Sequence, residues 1–283
     1  MIGDCRVTCL DSLSSHECQT LECQKSSFSR TTSSDLTTVE EMLDAAILCE
    51  MQGEYSEAAR LFQKILDVDV ENSAIAVHAM TALGVLYDLG KGVEQSKTQA
   101  FALYTRAHAA GNTKATCNLA AMFSYGDGVE QDKAKAVELY KQAHAAGRAD
   151  ATGFLAVMYW KGDGVEQSRA KAVELFEQAH AAGDVTATFM LGVMYRTGDG
   201  VEMDKAKAFA LVNQGHAGGY AQATNTLGMM YQRGDGVEKD PARALALYEQ
   251  ADAAGDAKAT YNLGVIRAVL MTLWGKGWVG VSR

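Results

Sequence analysis

The chain has 283 residues, of which 48% are hydrophobic and 22% charged, so most of it can bury a core. Its formal net charge of −9 argues against non-specific binding to nucleic acid or to anionic membranes, because both need clustered lysine and arginine. Proline occurs once and glycine 27 times, a composition that favours helices joined by short glycine turns over a loop-rich enzyme.

The amino-terminal segment 1–34 is rich in serine, threonine and cysteine, and we expect it to be disordered. It lacks an apolar stretch long enough for a signal peptide, and no part of the chain reaches the roughly 20 apolar residues of a membrane helix. Its cysteines are therefore expected to be reduced thiols in a soluble, cytoplasmic protein. Zinc binding stays open in principle, although the spacing lacks paired short-spaced ligands: Cys5, Cys9, Cys18 and Cys23, with His16.

Residues 35–72 are the first predicted helix pair. This segment contains GEYSEAARLF and resembles one tetratricopeptide repeat, whose marks here are Gly53, Tyr55, Glu57, Ala58 and Phe62. Val70 stands where that family often has proline.

A repeat with a period of 36 residues occupies 73–258, and a partial sixth copy begins in 259–283. One unit reads ATxxLGxMYxxGDGVExDxAKAxxLYxQAHAAG. Two glycines mark each of the five full units, one in a Gly-Val-Glu turn (Gly92, Gly128, Gly164, Gly200 and Gly236) and one at the end (Gly111, Gly147, Gly183, Gly219 and Gly255).

Each unit is predicted to contain two antiparallel helices. Leu191, Met194 and Tyr195 share one face of the first helix, which ends at Gly198 and Gly200 because glycine readily adopts positive φ. Pro241 fits the first position of a second helix, where its missing N–H costs nothing. The second helices are each expected to begin at a residue that can cap exposed N–H groups: Ser96, Asp132, Ser168, Asp204 and Asp240.

The second helix presents one apolar side, with Ala136, Leu139, Tyr140 and Ala143 at helical spacing. A single hairpin cannot bury both of its faces, so neighbouring hairpins must stack into one continuous core. Recurring alanines leave room for helices to approach closely: Ala115, Ala151, Ala187, Ala223 and Ala259. The sequence therefore predicts an all-α solenoid of stacked antiparallel helix pairs.

The repeat unit is similar to that of the Sel1-like family, a relative of tetratricopeptide repeats, over roughly two thirds of the chain. The resemblance implies a right-handed α-solenoid that works as a non-catalytic scaffold or adaptor for protein–protein interaction. Secreted bacterial members carry two cysteines per repeat as disulfides, whereas only Cys117 lies within these repeats. Lumenal members act in endoplasmic-reticulum quality control, a role that the expected absence of a signal peptide disfavours.

The carboxyl end departs from the repeat. Arg267 stands where tyrosine is expected, and Gly275 to Gly277 only faintly repeat the turn. The segment is apolar, so it either docks onto something or belongs to a truncated or mis-spliced form of a longer parent: Val269, Leu270, Met271, Leu273, Trp274 and Trp278.

Catalytic and metal sites are not predicted. Histidines recur at one position in four of the five repeats, and Asp252 replaces them in the fifth. Equivalent positions of stacked helices lie about 8–10 Å apart, too far to share an ion. The turn carboxylates (Asp127, Asp163, Asp199 and Asp235, with Glu130, Glu166, Glu202 and Glu238) are interpreted as solvated turn residues, since the turn is too short for a calcium loop. No nucleophile or phosphate-binding motif occurs, so we expect no cofactor and no enzyme activity.

Positions that differ between the copies predict a partner-binding groove. They fall two residues before the recurring leucine of the first helix and five or six residues after it. By resemblance to tetratricopeptide repeats this face lines a concave groove for a protein or peptide ligand. The hypothesised site comprises Cys117, Trp160, Phe189, Arg196, Asn225, Gln232, Arg233 and Tyr261. An enzyme or regulatory subunit with a small-molecule pocket is the alternative.

Overall fold

The computed structural model describes residues 38–68 and 73–274. The predictions of disorder and possible zinc binding in 1–34 and the comparison at Val70 lie outside the described residues. From Val269 to Trp274 only the backbone is described, so the predicted contact through the apolar side chains from Val269 onward lies outside the description as well. Within the described ranges there are 13 helices and no strand. They are α1 (Val39–Gln52), α2 (Tyr55–Val68), α3 (Ala74–Leu89), α4 (Lys97–Ala109), α5 (Thr113–Tyr125), α6 (Lys133–Ala145), α7 (Ala149–Lys161), α8 (Arg169–Ala181), α9 (Val185–Thr197), α10 (Lys205–Ala217), α11 (Ala221–Arg233), α12 (Pro241–Ala253) and α13 (Ala257–Trp274).

The helices belong to two compact units. One ends at Ala151 and also includes Asp163–Val165; the other comprises Thr152–Gly162 and the residues from Glu166 onward. In the first unit each helix from α1 to α6 packs against the next, and in the second unit each helix from α8 to α13 does the same. This arrangement confirms the all-α class and the packing of neighbouring helices in pairs.

The predicted starts of the second helices are confirmed. In each of the five, the capping side chain accepts a hydrogen bond from the backbone N–H three residues later. Pro241 occupies the first turn of α12, as its fixed φ favours. The caps are Ser96, Asp132, Ser168, Asp204 and Asp240.

The two marker glycines of a repeat are required for different reasons. Gly219 has φ +81° and a Cβ added there would meet nothing within 4 Å, so only its backbone conformation favours glycine. Gly236 has φ +75°, and an added Cβ would lie 2.0 Å from the carbonyl oxygen of Lys205. The turn of one repeat therefore rests directly on the first residue of the preceding repeat's second helix. The same crowding against backbone occurs at Gly92, Gly128, Gly164 and Gly200.

Within a repeat, the two helices pack a large side chain onto a small one. Tyr248 of α12 is 0% exposed, and a Cβ added at Gly228 of α11 would lie 2.8 Å from its ring. Tyr104 covers Gly84 in the same way in the first unit. The alanines predicted to allow close approach are confirmed as fully or almost fully buried: Ala115, Ala151, Ala187, Ala223 and Ala259.

None of the helices in the described ranges combines the length and the apolar character needed to cross a bilayer.

Candidate partner-binding surface

Three of the predicted groove residues are buried, which corrects their placement on a solvent-facing groove. Cys117, Phe189 and Asn225 are 1%, 7% and 3% exposed. The ring of Phe189 packs against that of Tyr220, with centroids 5.2 Å apart, and the Oδ1 of Asn225 accepts a hydrogen bond of 2.8 Å from Asn262. Phe189 and Asn225 therefore each contact the next repeat.

The physical reason is that this helix position meets two neighbours at once. A Cβ added at Gly215 of α10 would lie 3.4 Å from the Cβ of Phe189, so the second helix of its own repeat covers this position. The ring of Phe189 also contacts that of Tyr220 in the next repeat, which covers it from the other side. Variation there reflects packing between repeats. Tyr261 occupies the same position in α13 and is 73% exposed.

Trp160, at the carboxyl end of α7, lies in a polar cluster with the next repeat's turn. Its indole Nε1 donates a hydrogen bond of 2.7 Å to Asp199. The guanidinium of Arg169 lies 5.1 Å from the ring centroid and forms an ion pair with Asp199 at 3.1 Å. The hydrogen bond to Asp199 and the contact with Arg169 hold the ring in place. The side chain is only partly buried, so part of it stays accessible.

Arg196 is the equivalent residue of α9, and its side chain is incompletely satisfied. Its Nε is buried and has no hydrogen-bond partner, although the residue as a whole is only partly buried. The equivalent residue of α11, Gln232, accepts a hydrogen bond of 2.8 Å from the hydroxyl of Tyr248, and the adjacent Arg233 is exposed. We call Trp160, Arg196, Gln232 and Arg233 the repeat edge.

The aspartates of the Gly-Asp-Gly turns were predicted to be solvated, and this interpretation is wrong. Each forms an ion pair with the first residue of the preceding second helix, 30 positions earlier, and its side chain is only 18–34% exposed. These pairs connect consecutive repeats; the four turn glutamates, by contrast, are exposed. The pairs are Lys97–Asp127 at 4.0 Å, Lys133–Asp163 at 2.7 Å, Arg169–Asp199 at 3.1 Å and Lys205–Asp235 at 2.9 Å.

These ion pairs were missed although the sequence carries a signal for them. A cation stands at the first position of the second helix in four repeats: Lys97, Lys133, Arg169 and Lys205. In the fifth repeat this position is Pro241, which carries no charge, and 30 residues later the chain is still within α13 and has no turn. The signal in the sequence is therefore the constant separation of 30 residues between cation and aspartate in the four pairs.

The hydrogen bond from Lys205 holds the pKa of Asp235 below its usual value, with smaller contributions from the charges of Arg196 and Arg233. A carboxyl whose pKa is lowered by folding stabilises the native state above its unfolded pKa, and this contribution is lost as the pH falls through the folded pKa. We expect Lys205→Met to raise the pKa of Asp235 in an NMR titration, with a cost in stability of about 1 kcal/mol or less because the lysine is half-exposed. Lys239→Met is the control; an unchanged pKa of Asp235 in Lys205→Met would contradict the assignment.

The recurring histidines form contacts between helices. The Nδ1 of His108, His180 and His216 lies 2.8–2.9 Å from a threonine hydroxyl eight residues later, in the next repeat. That hydroxyl also lies 2.8–3.4 Å from a backbone carbonyl four residues earlier, and when it donates there it can accept from a histidine Nδ1–H. In the fifth repeat Asp252 accepts from Thr260 instead. Among the described residues no three histidine, cysteine or acidic side chains are grouped as metal ligands.

A pocket on the first unit lies beside the turn before α4. It is open to solvent, and no histidine, cysteine or lysine lines it. The hydroxyl of Ser96 in its wall accepts a hydrogen bond from the backbone N–H of Gln99 and caps α4. Its role is therefore to stabilise the start of the helix. This pocket offers no nucleophile beside a base, and nothing in it favours the small-molecule alternative.

Comparison with known proteins places these features in a family. The model of the Sel1 repeat matches residues 77–112, 113–147, 149–184, 185–214 and 221–256. The chain belongs to the Sel1 repeat family. A search of curated proteins finds no match.

Solved structures with Sel1 repeats are similar to the chain. A Sel1 repeat protein from Oxalobacter formigenes is 29% identical with a TM-score of 0.71, covering 79% of this chain and 89% of that protein. The protective antigen c5321 of uropathogenic Escherichia coli is 27% identical with a TM-score of 0.65; the match covers 88% of this chain but only 51% of the antigen. The immunity protein Pa5087 of Pseudomonas aeruginosa, at 18% identity and a TM-score of 0.51 over 81% of this chain and 86% of its own length, shares the fold alone.

Proposed function

We propose that this Sel1 repeat protein is a non-catalytic, cytoplasmic scaffold or adaptor that binds a protein or peptide partner along the repeat edge of its second unit. Helical repeat stacks commonly use an extended surface of this kind for protein–protein interaction. The observation that carries the proposal is that Trp160, Arg196 and Gln232 keep accessible surface at the same position of consecutive repeats, where the Nε of Arg196 has no hydrogen-bond partner.

The chemistry of the edge suits a partner that supplies acceptors. A buried donor without a partner costs about 1–3 kcal/mol, so a rotation of the partly buried Arg196 side chain that brings its guanidinium to an acceptor of the partner recovers part of that cost. Arg233 adds an exposed guanidinium one repeat further on. Arginine and tryptophan are also the residue types that most often carry binding energy at interfaces. An extended peptide with carboxylates or free backbone carbonyls therefore fits this surface.

The position of the edge also fits recognition across several repeats. Trp160, Arg196 and Gln232 occupy the same position of α7, α9 and α11, so they recur once per repeat. The ion pairs of Asp199 and Asp235 join those repeats and fix the spacing of the three side chains. A partner that contacts two or three of them in sequence gains affinity from each without a deep pocket.

The test is affinity capture with quantitative mass spectrometry on the full-length chain. The variant Arg196→Gln/Arg233→Gln removes two cations from the edge and leaves the buried core intact. We expect it to lose the partner by about tenfold or more, since two interface arginines are worth about 1–2 kcal/mol each.

The matched control is Lys141→Gln/Lys258→Gln, which removes the same charge from exposed positions on α6 and α13, outside the repeat edge. Circular dichroism must show the same helicity for both variants. Equal loss of the partner in both would mean that net charge drives binding, and unchanged capture by the edge variant would contradict the proposal.

A further inference from the structure

The turn at Asp235 carries an excess of positive charge. Lys205, the first residue of α10, donates a hydrogen bond of 2.9 Å to the Oδ1 of Asp235. The charges of Arg196 and Arg233 also lower the pKa of this carboxyl, so both guanidinium groups lie near it. Three cations therefore share one carboxylate, and two positive charges remain unbalanced. We call these four residues the Asp235 cluster.

The three earlier Gly-Asp-Gly turns do not carry this excess. Each has one cation paired with its aspartate, as Lys205 is paired with Asp235. The residues at the positions of the two arginines differ, however, and include a single cation in all three turns together. They are Asp88 and Tyr125 for the turn at Asp127, Ser124 and Lys161 for that at Asp163, and Trp160 and Thr197 for that at Asp199. The excess is therefore a property of this turn and not of the repeat.

All three cations of the Asp235 cluster can offer donors to a ligand. The Nε of Arg196 has no hydrogen-bond partner, and the side chain is only partly buried, so a rotation can bring its guanidinium to an acceptor. Arg233 is exposed. The side chain of Lys205 is 49% exposed, and its pairing with Asp235 uses one of the three N–H donors of an ammonium group. The cluster therefore suits an anion with several acceptor oxygens.

The charge of the cluster favours a dianion over a carboxylate. A single carboxylate would neutralise only one of the two unbalanced charges. A phosphorylated serine, threonine or tyrosine carries a charge of about −1.5 to −2 at pH 7 and three strong acceptor oxygens. Arginine forms bidentate hydrogen bonds with phosphate, and arginine clusters are a recurring means of recognising phosphorylated segments.

We propose that the Asp235 cluster binds a phosphorylated residue of the protein or peptide partner. Arg196 and Arg233 supply the guanidinium groups, and Lys205 supplies an ammonium group while it holds Asp235 in place. This site rests on the proposed function, because Arg196 and Arg233 belong to the repeat edge and the same partner occupies both. It adds the chemical class of the group that the partner must present there.

Inorganic phosphate is the probe for the site itself, and no partner is needed. It is titrated into the isotope-labelled full-length chain while the NMR signals of the amides of residues 234–236 are followed. We expect saturable shifts with a dissociation constant in the millimolar range. Acetate at equal ionic strength should bind at least about tenfold more weakly, because it carries one charge and two acceptor oxygens.

Two variants already described serve this titration. Arg196→Gln/Arg233→Gln should abolish the shifts, because it removes both guanidinium groups of the cluster. The control Lys141→Gln/Lys258→Gln removes the same charge from other exposed positions and should keep them. Absent shifts in the wild type, or equal binding of acetate and phosphate, would overturn the proposal.

Capture from a lysate tests whether a phosphorylated partner supplies the group. Treatment of the lysate with a protein phosphatase should lower recovery of the partner by about tenfold, relative to capture with phosphatase inhibitors present, since charge-assisted hydrogen bonds are lost. A partner that depends on Arg196 and Arg233 but survives phosphatase treatment would leave the proposed function standing and overturn the phosphorylated residue. A partner captured equally by the wild type and Arg196→Gln/Arg233→Gln would overturn both.

Discussion

Gly236→Ala is expected to lower the free energy of unfolding by about 3–5 kcal/mol. Holding a non-glycine residue at positive φ costs about 1–3 kcal/mol. Here the added Cβ would also lie 2.0 Å from the carbonyl oxygen of Lys205, so the turn must move away from α10 and loosen the contact between consecutive repeats. Urea denaturation followed by circular dichroism measures the change.

Gly219→Ala is the matched control, because its φ of +81° imposes the same backbone strain while nothing lies within 4 Å of the new Cβ. We expect it to cost about 1–2 kcal/mol. The difference between the two variants isolates the contact between the turn and α10. If both variants lose the same stability, the contact between the turn at Gly236 and α10 does not stabilise the protein, which would contradict the role assigned to Gly236.

Tyr248→Ala is expected to destabilise the chain by about 3–5 kcal/mol, the usual cost of deleting a large buried side chain. The ring is 0% exposed and lies on Gly228, so its removal leaves a cavity between α11 and α12. Tyr261→Ala provides a control with the same chemical change, and because Tyr261 is 73% exposed we expect a loss of less than about 0.5 kcal/mol.

A second variant separates the ring from its hydroxyl. Burial raises the pKa of Tyr248 to about 12, and the hydroxyl donates to Gln232 at 2.8 Å. Tyr248→Phe keeps the ring and should cost only about 0.5–1.5 kcal/mol. A raised pKa stabilises the native state below the unfolded value, and this stability is lost as pH rises towards 12. The phenylalanine variant should therefore lose less stability in that pH range than the wild type.

Much of the fold could be predicted because each repeat carries the residues that start and end its helices. The capping residues, the positive-φ glycines and Pro241 each fix a helix end through contacts a few residues apart. The same capping and turn residues occur at the same positions of five consecutive copies, so the helix ends of every repeat could be predicted in the same way.

The binding face could be predicted only in part, because periodicity identifies equivalent positions without showing what covers them. Phe189 and Asn225 vary between copies as a groove residue would, yet both are buried at contacts with the following repeat. Tyr261 shares their position and is exposed because no further helix among the described residues lies against it. The positions later in the helix, at Trp160 and Arg196, retain accessible surface.

Hydrogen exchange by mass spectrometry on the full-length chain, alone and with its captured partner, shows where the partner binds. If the partner binds the repeat edge, amides at the carboxyl ends of α7, α9 and α11, and in the turns that follow them, will exchange more slowly in the complex. Protection confined to α8, α10 and α12, with the repeat edge unchanged, would mean that the partner does not bind the repeat edge.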